Sequence, residues 1–152
     1  MPGAGPSLAS GCRPLAAPSE PACYDRPVTD FYTIDRANER LETLQPVLNQ
    51  LRDQRAELRE LKASFDATEP GPERERLRLR MQGVVDQMQA GVVRIDGWRV
   101  TLRDIATGLV DFPALVSGRQ IWLCWQLGES DVAWWHELEA GVAGRQPLIE
   151  LR

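Results

Sequence analysis

The stretch TIDRANERLETLQPVLNQLRDQRAELRELKASF, residues 33–65, decides the fold of this chain. Its apolar residues recur at spacings of three, four and seven, which is the period of an amphipathic helix and typical of a coiled coil. One seam position reads Ala37, Leu44, Leu51, Leu58 and Phe65, and its partner position reads Ile34, Leu41, Leu48, Arg55 and Lys62. The pattern predicts a long helix whose far end packs on a narrower apolar stripe.

The start and the middle of this helix carry their own signals. Thr33 is the expected N-cap, and Asp35 suits the positive end of the helix dipole. Pro46 lies inside the run and lacks the N–H that a helix interior requires. We therefore expect a kink near residues 41–45, or a restart of the helix there.

A second helix follows the segment Glu69–Pro70–Gly71–Pro72, whose composition indicates a turn. Its apolar face consists of Leu77, Met81, Val84, Val85, Met88, Val92 and Ile95. Two amphipathic helices joined by about four residues lie antiparallel and bury these faces on each other. The oppositely charged residues Glu73 and Arg76, and likewise Glu75 and Arg78, are expected to pair on the exposed side. The sequence thus predicts a helical hairpin over about residues 34–95.

After Gly97 the apolar period shortens to two, which indicates strands. Extended runs are expected at 98–103, 109–115, 120–127 and 132–138, with turns at 116–119 and 128–131. Pro113 cannot donate to a strand ladder, so its strand is expected at a sheet edge or at a bulge. Most of the buried area of the sheet is expected from Trp122, Trp125, Trp134 and Trp135. The predicted fold class is α+β: a long antiparallel helical hairpin followed by a small antiparallel β-sheet of three to four strands, with a C-terminal loop over 139–152.

The first 27 residues differ in composition from the rest of the chain. They hold six of the eleven prolines, with Gly, Ala and Ser between them, and show no helical or strand period. Such a segment buries too little apolar area to offset its ordering entropy. We expect residues 1–27 to be a disordered tail and 28–152 to be a single domain. The open alternative is a Pro-rich recognition peptide at Pro18–Pro21, the only PxxP match.

Charge and cysteine content exclude several functional classes. Eighteen basic and twenty-two acidic residues give a net charge of −4, which argues against nucleic acid as a partner. The three cysteines, Cys12, Cys23 and Cys124, form no CxxC pair and favour a reducing compartment. No apolar run reaches the roughly 18 residues of a membrane span, and the first residues lack a secretory pattern. We expect a cytoplasmic protein with neither nucleic acid nor membrane as partner.

Four segments carry a resemblance to a known family. They are Phe31–Ile34 with Ala37–Asn38, Gly108–Leu115, Leu123–Glu129, and WHELEAGVAGRQPL at residues 135–148. Together they resemble a bacterial family catalogued as domain of unknown function 2203, over about residues 31–148. The resemblance implies a helical hairpin with a small β region and carries no established activity. This chain departs from the family in having Arg36 where an acidic residue often closes the helix cap.

His136 is the only histidine of the chain, and this restricts the possible chemistry. No two-histidine metal site exists, and any Ser/His/Asp or Cys/His set must use this residue. A metal would need Cys124 and His136 together with carboxylates from Asp111, Glu137 or Glu139. Since a lone histidine on a strand between aromatic residues is more often structural, no metal and no cofactor are expected.

A nucleophile pair of Cys124 and His136 requires both side chains on one face of the sheet. If the turn at 128–131 closes a two- or four-residue loop, Cys124 pairs with Trp135 and His136 lies on the opposite face. Only a three-residue loop places Cys124 directly across from His136. We favour the first register, in which Cys124 is a small buried hydrophobic residue, and expect no catalytic residue.

The glycine-bracketed loop Gly141–Pro147 presents Arg145. Such a loop is able to offer backbone N–H groups and a guanidinium to an anion. The alternative is that Arg145 pairs with a carboxylate such as Asp111, Glu137 or Glu139. In that case it pins the C-terminal loop onto the sheet.

Two functional hypotheses follow. The leading one is a non-enzymatic binding or adaptor protein that acts through its hairpin and sheet, with a protein as partner, either a second copy in a homodimer or an unknown protein. The other is a small enzyme or a sensor of an anionic ligand with a polar site around Asp111, His136, Glu137 and Arg145. The second hypothesis requires these four groups to converge in one concave pocket.

Overall fold

The computed structural model describes residues 31–151 and shows a two-helix hairpin followed by an antiparallel sheet. The helices are α1 (Ile34–Ala67) and α2 (Pro72–Gly97). The strands are β1 (Thr101–Asp104), β2 (Leu109–Val116), β3 (Arg119–Trp125), β4 (Trp134–His136) and β5 (Gln146–Pro147), in that order across the sheet. The predicted fold class is confirmed, with five strands rather than three to four. The predicted tail lies outside the described residues.

The first helix begins where the sequence predicts. The backbone N–H of Arg36 donates to Thr33 Oγ1 at 3.2 Å, which confirms Thr33 as the N-cap. The helix then runs without interruption through Pro46, so no restart occurs there. A proline costs a helix the hydrogen bond that its missing N–H would donate. Buried neighbours on both sides of Pro46, Leu44 and Val47, hold the helix in place across that gap.

The hydrophobic core lies between the first half of α1 and the inner face of the sheet. The buried residues of α1 are Ala37, Leu41, Leu44, Val47, Leu48, Leu51 and Gln54. The buried residues of the sheet that share their cluster are Val110, Phe112, Ala114, Ile121, Leu123, Trp125 and Trp135. Tyr32 joins the two layers, because its ring meets Phe112 edge-on at 5.0 Å and its hydroxyl donates to the Trp98 carbonyl at 2.6 Å.

The hairpin extends beyond this core as an arm, which we define as residues 55–93. Within the arm only Val84 is buried. The side chains of the arm seam are partly exposed: Leu58, Leu61, Phe65, Leu77 and Met81. Val85 and Val92, predicted on the buried face of α2, are exposed. That prediction is wrong because α1 covers only one side of the apolar stripe of α2.

The strand that contains Pro113 lies inside the sheet, so the expected edge position is wrong. The reason is that β1 pairs only with the first part of β2, up to Asp111. Beyond that point one side of β2 faces no strand formed by residues 31–151, and there the Pro113 carbonyl accepts the Tyr32 N–H at 2.7 Å. The N and C=O of one residue point to the same side of an antiparallel strand. The missing N–H of Pro113 therefore breaks no ladder bond.

The C-terminal segment contains more structure than the loop expected over 139–152. It forms β5, which pairs Pro147 with Trp134 and Gln146 with Trp135. Short 3-10 turns precede and follow this strand, at Val142–Gly144 and Leu148–Glu150. Two-residue strands are too short to show an alternating pattern. Within the described residues, neither helix is long and apolar enough to cross a membrane.

Candidate functional site

The outer face of the sheet carries three buried polar side chains, one from each of its three central strands. Asp111 lies on β2, Cys124 on β3 and His136 on β4, each with 1% or less of its surface exposed. Their strand neighbours belong to the core, and successive side chains of a strand point to opposite faces. The three residues therefore lie on the side away from the helices. We call them the outer cluster.

The turn between β2 and β3 aligns the first two members of the outer cluster. Ser117 and Gly118 both have positive φ, at 51° and 76°, as a two-residue type I′ turn requires. This turn sets Val116 opposite Arg119 and therefore Asp111 opposite Cys124. The turn was visible in the sequence, so the pairing of Asp111 with Cys124 was within reach of sequence reasoning.

The register between β3 and β4 differs by one residue from the favoured prediction. Cys124 pairs with Trp134, not Trp135, so Cys124 and His136 share a face. The favoured register is wrong because the connection between the strands spans residues 126–133 and is not a tight turn. The connection is organised by Glu129, whose carboxylate accepts the Gln126 N–H at 2.9 Å.

Short polar contacts fix the outer cluster. Asp111 Oδ2 lies 3.0 Å from His136 Nε2, and it also accepts a hydrogen bond from Arg103 Nε at 2.7 Å. The other ring nitrogen, His136 Nδ1, lies 2.8 Å from the backbone carbonyl oxygen of Glu137. Burial, and then the neighbouring Asp111 carboxylate, raise the pKa of the Cys124 thiol to about 12. Cys124 is therefore a neutral thiol at physiological pH.

Two tryptophans and two arginines lie around the outer cluster. Trp122 and Trp134 pair with His136 and Cys124 and so point to the same face. The guanidinium of Arg103 stands over the Trp122 ring at 5.2 Å, and that of Arg145 stands over the Trp134 ring at 5.0 Å. Such contacts favour a cation on an aromatic face. These side chains shield the outer cluster from water.

The four residues predicted to form a polar site are not all brought together. Asp111 and His136 meet, as described above. The carboxylate of Glu137 forms an ion pair with the guanidinium of Arg119 at 2.9 Å. The guanidinium of Arg145 donates to both carboxylate oxygens of Glu129, at 2.7 and 2.9 Å. The partner of Arg145 is thus none of the three carboxylates that the sequence suggested. The arrangement does not offer the four groups to one ligand.

Arg103 is the residue that sequence reasoning missed. A break in the pairing between Leu102 and Asp104 marks a bulge in β1, and Arg103 lies at that bulge. Bulges re-aim a side chain and are difficult to read from one sequence. The guanidinium that reaches Asp111 is therefore this one and not that of Arg145.

Comparison with known proteins places the chain in a family. The model of the family described as "Uncharacterized conserved protein (DUF2203)" matches residues 30–148. The chain belongs to this family. The matched region includes both helices of the hairpin, all five strands and the outer cluster. Searches of curated proteins and of solved structures returned no match.

Proposed function

We propose that this member of the family is a non-enzymatic binding module, that its binding surface is the arm of the hairpin, and that the partner is a second copy of the chain. The observation that carries the proposal is the exposure of Val85 and Val92, at 39% and 37%. These residues are one heptad apart, so they lie on the same side of α2. They form an apolar edge that the hairpin itself leaves uncovered.

The width of this apolar stripe is typical of a bundle. Along α2, the seam residues alternate at spacings of four and three from Leu77 to Ile95. Val85 and Val92 each follow directly after a seam residue, Val84 and Gly91. Two helices that pack only on each other need a single narrow seam, whereas helices of a bundle carry one further apolar position. The stripe of α2 thus fits a structure with more than two helices.

The charge of the arm favours a second copy as the occupant. Residues 55–93 contain seven basic and seven acidic side chains, so the arm has a net charge of 7 − 7 = 0, whereas the whole chain has −4. Two such arms meet without net repulsion and offer both signs for pairing across the interface. Pairing two hairpins side by side produces a four-helix bundle, which is a stable arrangement for this kind of stripe.

The burial of the outer cluster supports the non-enzymatic part of the proposal. Asp111 and His136 are 1% exposed, and a substrate has no path to them in this conformation. Catalytic groups must lie within hydrogen-bond reach of a bound substrate. We also propose that the protein is bacterial, as the family resemblance suggests, and that it acts in the cytoplasm, as its cysteine content favours.

The proposal is tested with two matched double variants of α2. The edge variant, Val85→Glu with Val92→Glu, places two negative charges on the uncovered edge. The far-side variant, Leu79→Glu with Val93→Glu, places the same charge on the opposite side of α2. There Leu79 is 56% exposed and Val93 is 63% exposed. Light scattering after size exclusion reports the mass. We expect dimers for the wild type and for the far-side variant, and monomers for the edge variant. A wild type that remains monomeric at its highest soluble concentration would overturn the proposal.

A further inference from the structure

The hydrogen-bond partners of His136 do not suit a neutral imidazole. Nδ1 faces the carbonyl oxygen of Glu137, which only accepts, so Nδ1 must carry a proton. A neutral ring then has a lone pair on Nε2, and this nitrogen faces a carboxylate oxygen, Asp111 Oδ2, at 3.0 Å. The Nε2 lone pair and the Oδ2 atom, both acceptors, therefore face each other unless a positively charged species lies between them. Either a proton or a metal cation supplies that charge.

Asp111 has one carboxylate oxygen without a hydrogen-bond partner in the described part of the chain. Its Oδ2 accepts from Arg103 Nε, whereas its Oδ1 is buried and has no hydrogen-bond partner among residues 31–151. Leaving a buried carboxylate oxygen without a partner is costly. The side chain is 2% exposed, so bulk water does not solvate this oxygen.

We propose that the outer cluster is a binding site for a divalent transition-metal cation of the zinc type, with Asp111, Cys124 and His136 as its ligands. One donor atom from each residue lies within 4.8 Å of the other two. Sulfur, nitrogen and oxygen donors around a tetrahedral zinc ion lie roughly 3.3–3.6 Å apart, so shifts of about 1 Å bring the three atoms to that spacing. Sulfur and imidazole donors favour zinc-type ions over magnesium or calcium.

The groups around the outer cluster match those found behind metal ligands. A metal-bound histidine commonly donates its second N–H to a carbonyl or carboxylate, and His136 Nδ1 faces the Glu137 carbonyl oxygen. A metal-bound carboxylate is itself commonly held by a hydrogen bond, and Arg103 Nε supplies one to Asp111. These contacts fix the positions of Nε2 and the carboxylate, whose donor atoms lie within 4.8 Å of the donor atom of Cys124.

Binding conserves the charge of the buried cluster. Without a metal, the thiol is neutral and one proton is shared between His136 and Asp111, so the three side chains carry no net charge. When the cation binds, Cys124 loses its thiol proton and the shared proton leaves as well. Two protons pass to solvent and one dication enters. The metal-bound cluster, with thiolate, carboxylate and neutral imidazole, again has no net charge.

The proposed cation would join three strands of the sheet. Each ligand comes from a different strand, and β4 contributes only three residues to the ladder. A metal that binds the folded state but not the unfolded state stabilises the fold by mass action. The site thus acts as a structural cross-link of β4 to β2 and β3.

The test uses the full chain with Cys12→Ser and Cys23→Ser, so that Cys124 is the only thiol, after treatment with a chelator. Cobalt(II) is added as a spectroscopic probe and zinc as the stabilising ion, with magnesium as the ionic control. We expect a thiolate-to-cobalt charge-transfer band that saturates at one equivalent. At a hundredfold excess over its Kd, zinc should raise the Tm by roughly 10 °C, and magnesium should leave it unchanged.

Site variants test which residues are the ligands. Cys124→Ala and His136→Gln should each abolish the effect of zinc on the Tm, whereas Glu137→Gln should retain it, because that carboxylate pairs with Arg119. A chelated protein that stays folded, gives no cobalt band and gains no Tm from zinc would overturn the proposal. So would a full zinc response in a folded Cys124→Ala variant. The first of these readouts needs no site variant, so misfolding of a variant does not affect it.

Discussion

Arg145 illustrates how one side chain ties two segments together. Its guanidinium contacts both carboxylate oxygens of Glu129 and stands over the Trp134 ring. Glu129 also organises the connection between β3 and β4. The pair therefore joins the C-terminal segment to that connection, and only about a fifth of either side chain is exposed. Contacts of this kind are screened less than those of surface ion pairs.

We expect Arg145→Ala to lower the free energy of unfolding by about 1–3 kcal/mol, because it leaves a partly buried carboxylate without its partner. Arg119→Ala is the matched control. Arg119 also pairs with a glutamate and stands over a tryptophan ring, but its side chain is 59% exposed. Its loss should cost under about 1 kcal/mol. Urea denaturation of both variants measures these losses, and equal losses would contradict a stabilising role for the Arg145–Glu129 pair.

The raised pKa of Cys124 predicts an alkaline loss of stability in protein freed of metal. The folded thiol ionises only near pH 12, whereas the unfolded thiol ionises near its ordinary value of 9.0. The neutral thiol therefore makes its full contribution to the free energy of unfolding below about pH 9, and this contribution is lost as the pH rises toward 12. Between about pH 9 and 11, the wild type should lose about 1 kcal/mol per pH unit more than Cys124→Ala. Parallel stability curves for the two proteins would refute the predicted burial of this thiol.

The outer cluster was only partly predictable from the sequence. The alternative hypothesis required Asp111 and His136 to lie close together with Glu137 and Arg145, and the structure brings only Asp111 and His136 into contact. Cys124 was placed on the wrong face because a short turn was assumed where the chain makes a longer connection. The bulge at Arg103 and the contacts of Glu129 depend on tertiary packing, which periodicity does not reveal.

At the level of the elements, α1 divides into a buried and an exposed half. Leu51 is buried and sits against Gly91, where a Cβ atom would lie only 3.0 Å from Leu51 Cδ2. Leu58 occupies the same heptad position one repeat later but is only partly buried. The absence of a side chain at Gly91 allows the close packing of the first half.

This difference predicts unequal costs of truncation. Leu51→Ala should destabilise by about 2–4 kcal/mol, since it opens a cavity in a packed seam. Leu58→Ala should lower the free energy of unfolding by about 1 kcal/mol at protein concentrations low enough for the protein to be monomeric, because the Leu58 side chain is already partly exposed to water. Denaturation at low and high protein concentration checks both values. Equal costs at low concentration would show that the arm is as well packed as the core.

The elements themselves were largely predictable, because long periodic patterns depend on local residues. The N-cap at Thr33, both helices and the exposed pairs Glu73–Arg76 and Glu75–Arg78 are confirmed. The exposure of Val85 and Val92 was not predicted, because periodicity shows an apolar stripe without showing how much of it a partner helix covers. The two-residue strand β5 was missed because it is too short to carry a pattern.

At the level of the whole molecule, the core and the arm are built differently. The core is held by α1 and the inner face of the sheet, whereas within the arm only Val84 is buried. A second arm would complete the packing that the first leaves open. The proposed dimer therefore forms by pairing of arm with arm.

Intermolecular distances between spin labels test that claim most directly. Labels are attached at Glu60→Cys, an exposed site on the arm, or at Ser130→Cys, an exposed site beside the sheet, in full chains with Cys12→Ser and Cys23→Ser. Cys124 is buried and stays unlabelled. If arms pair, we expect an intermolecular dipolar signal at Glu60→Cys with a shorter distance than at Ser130→Cys. No intermolecular signal at Glu60→Cys, or a shorter distance at Ser130→Cys, would contradict it.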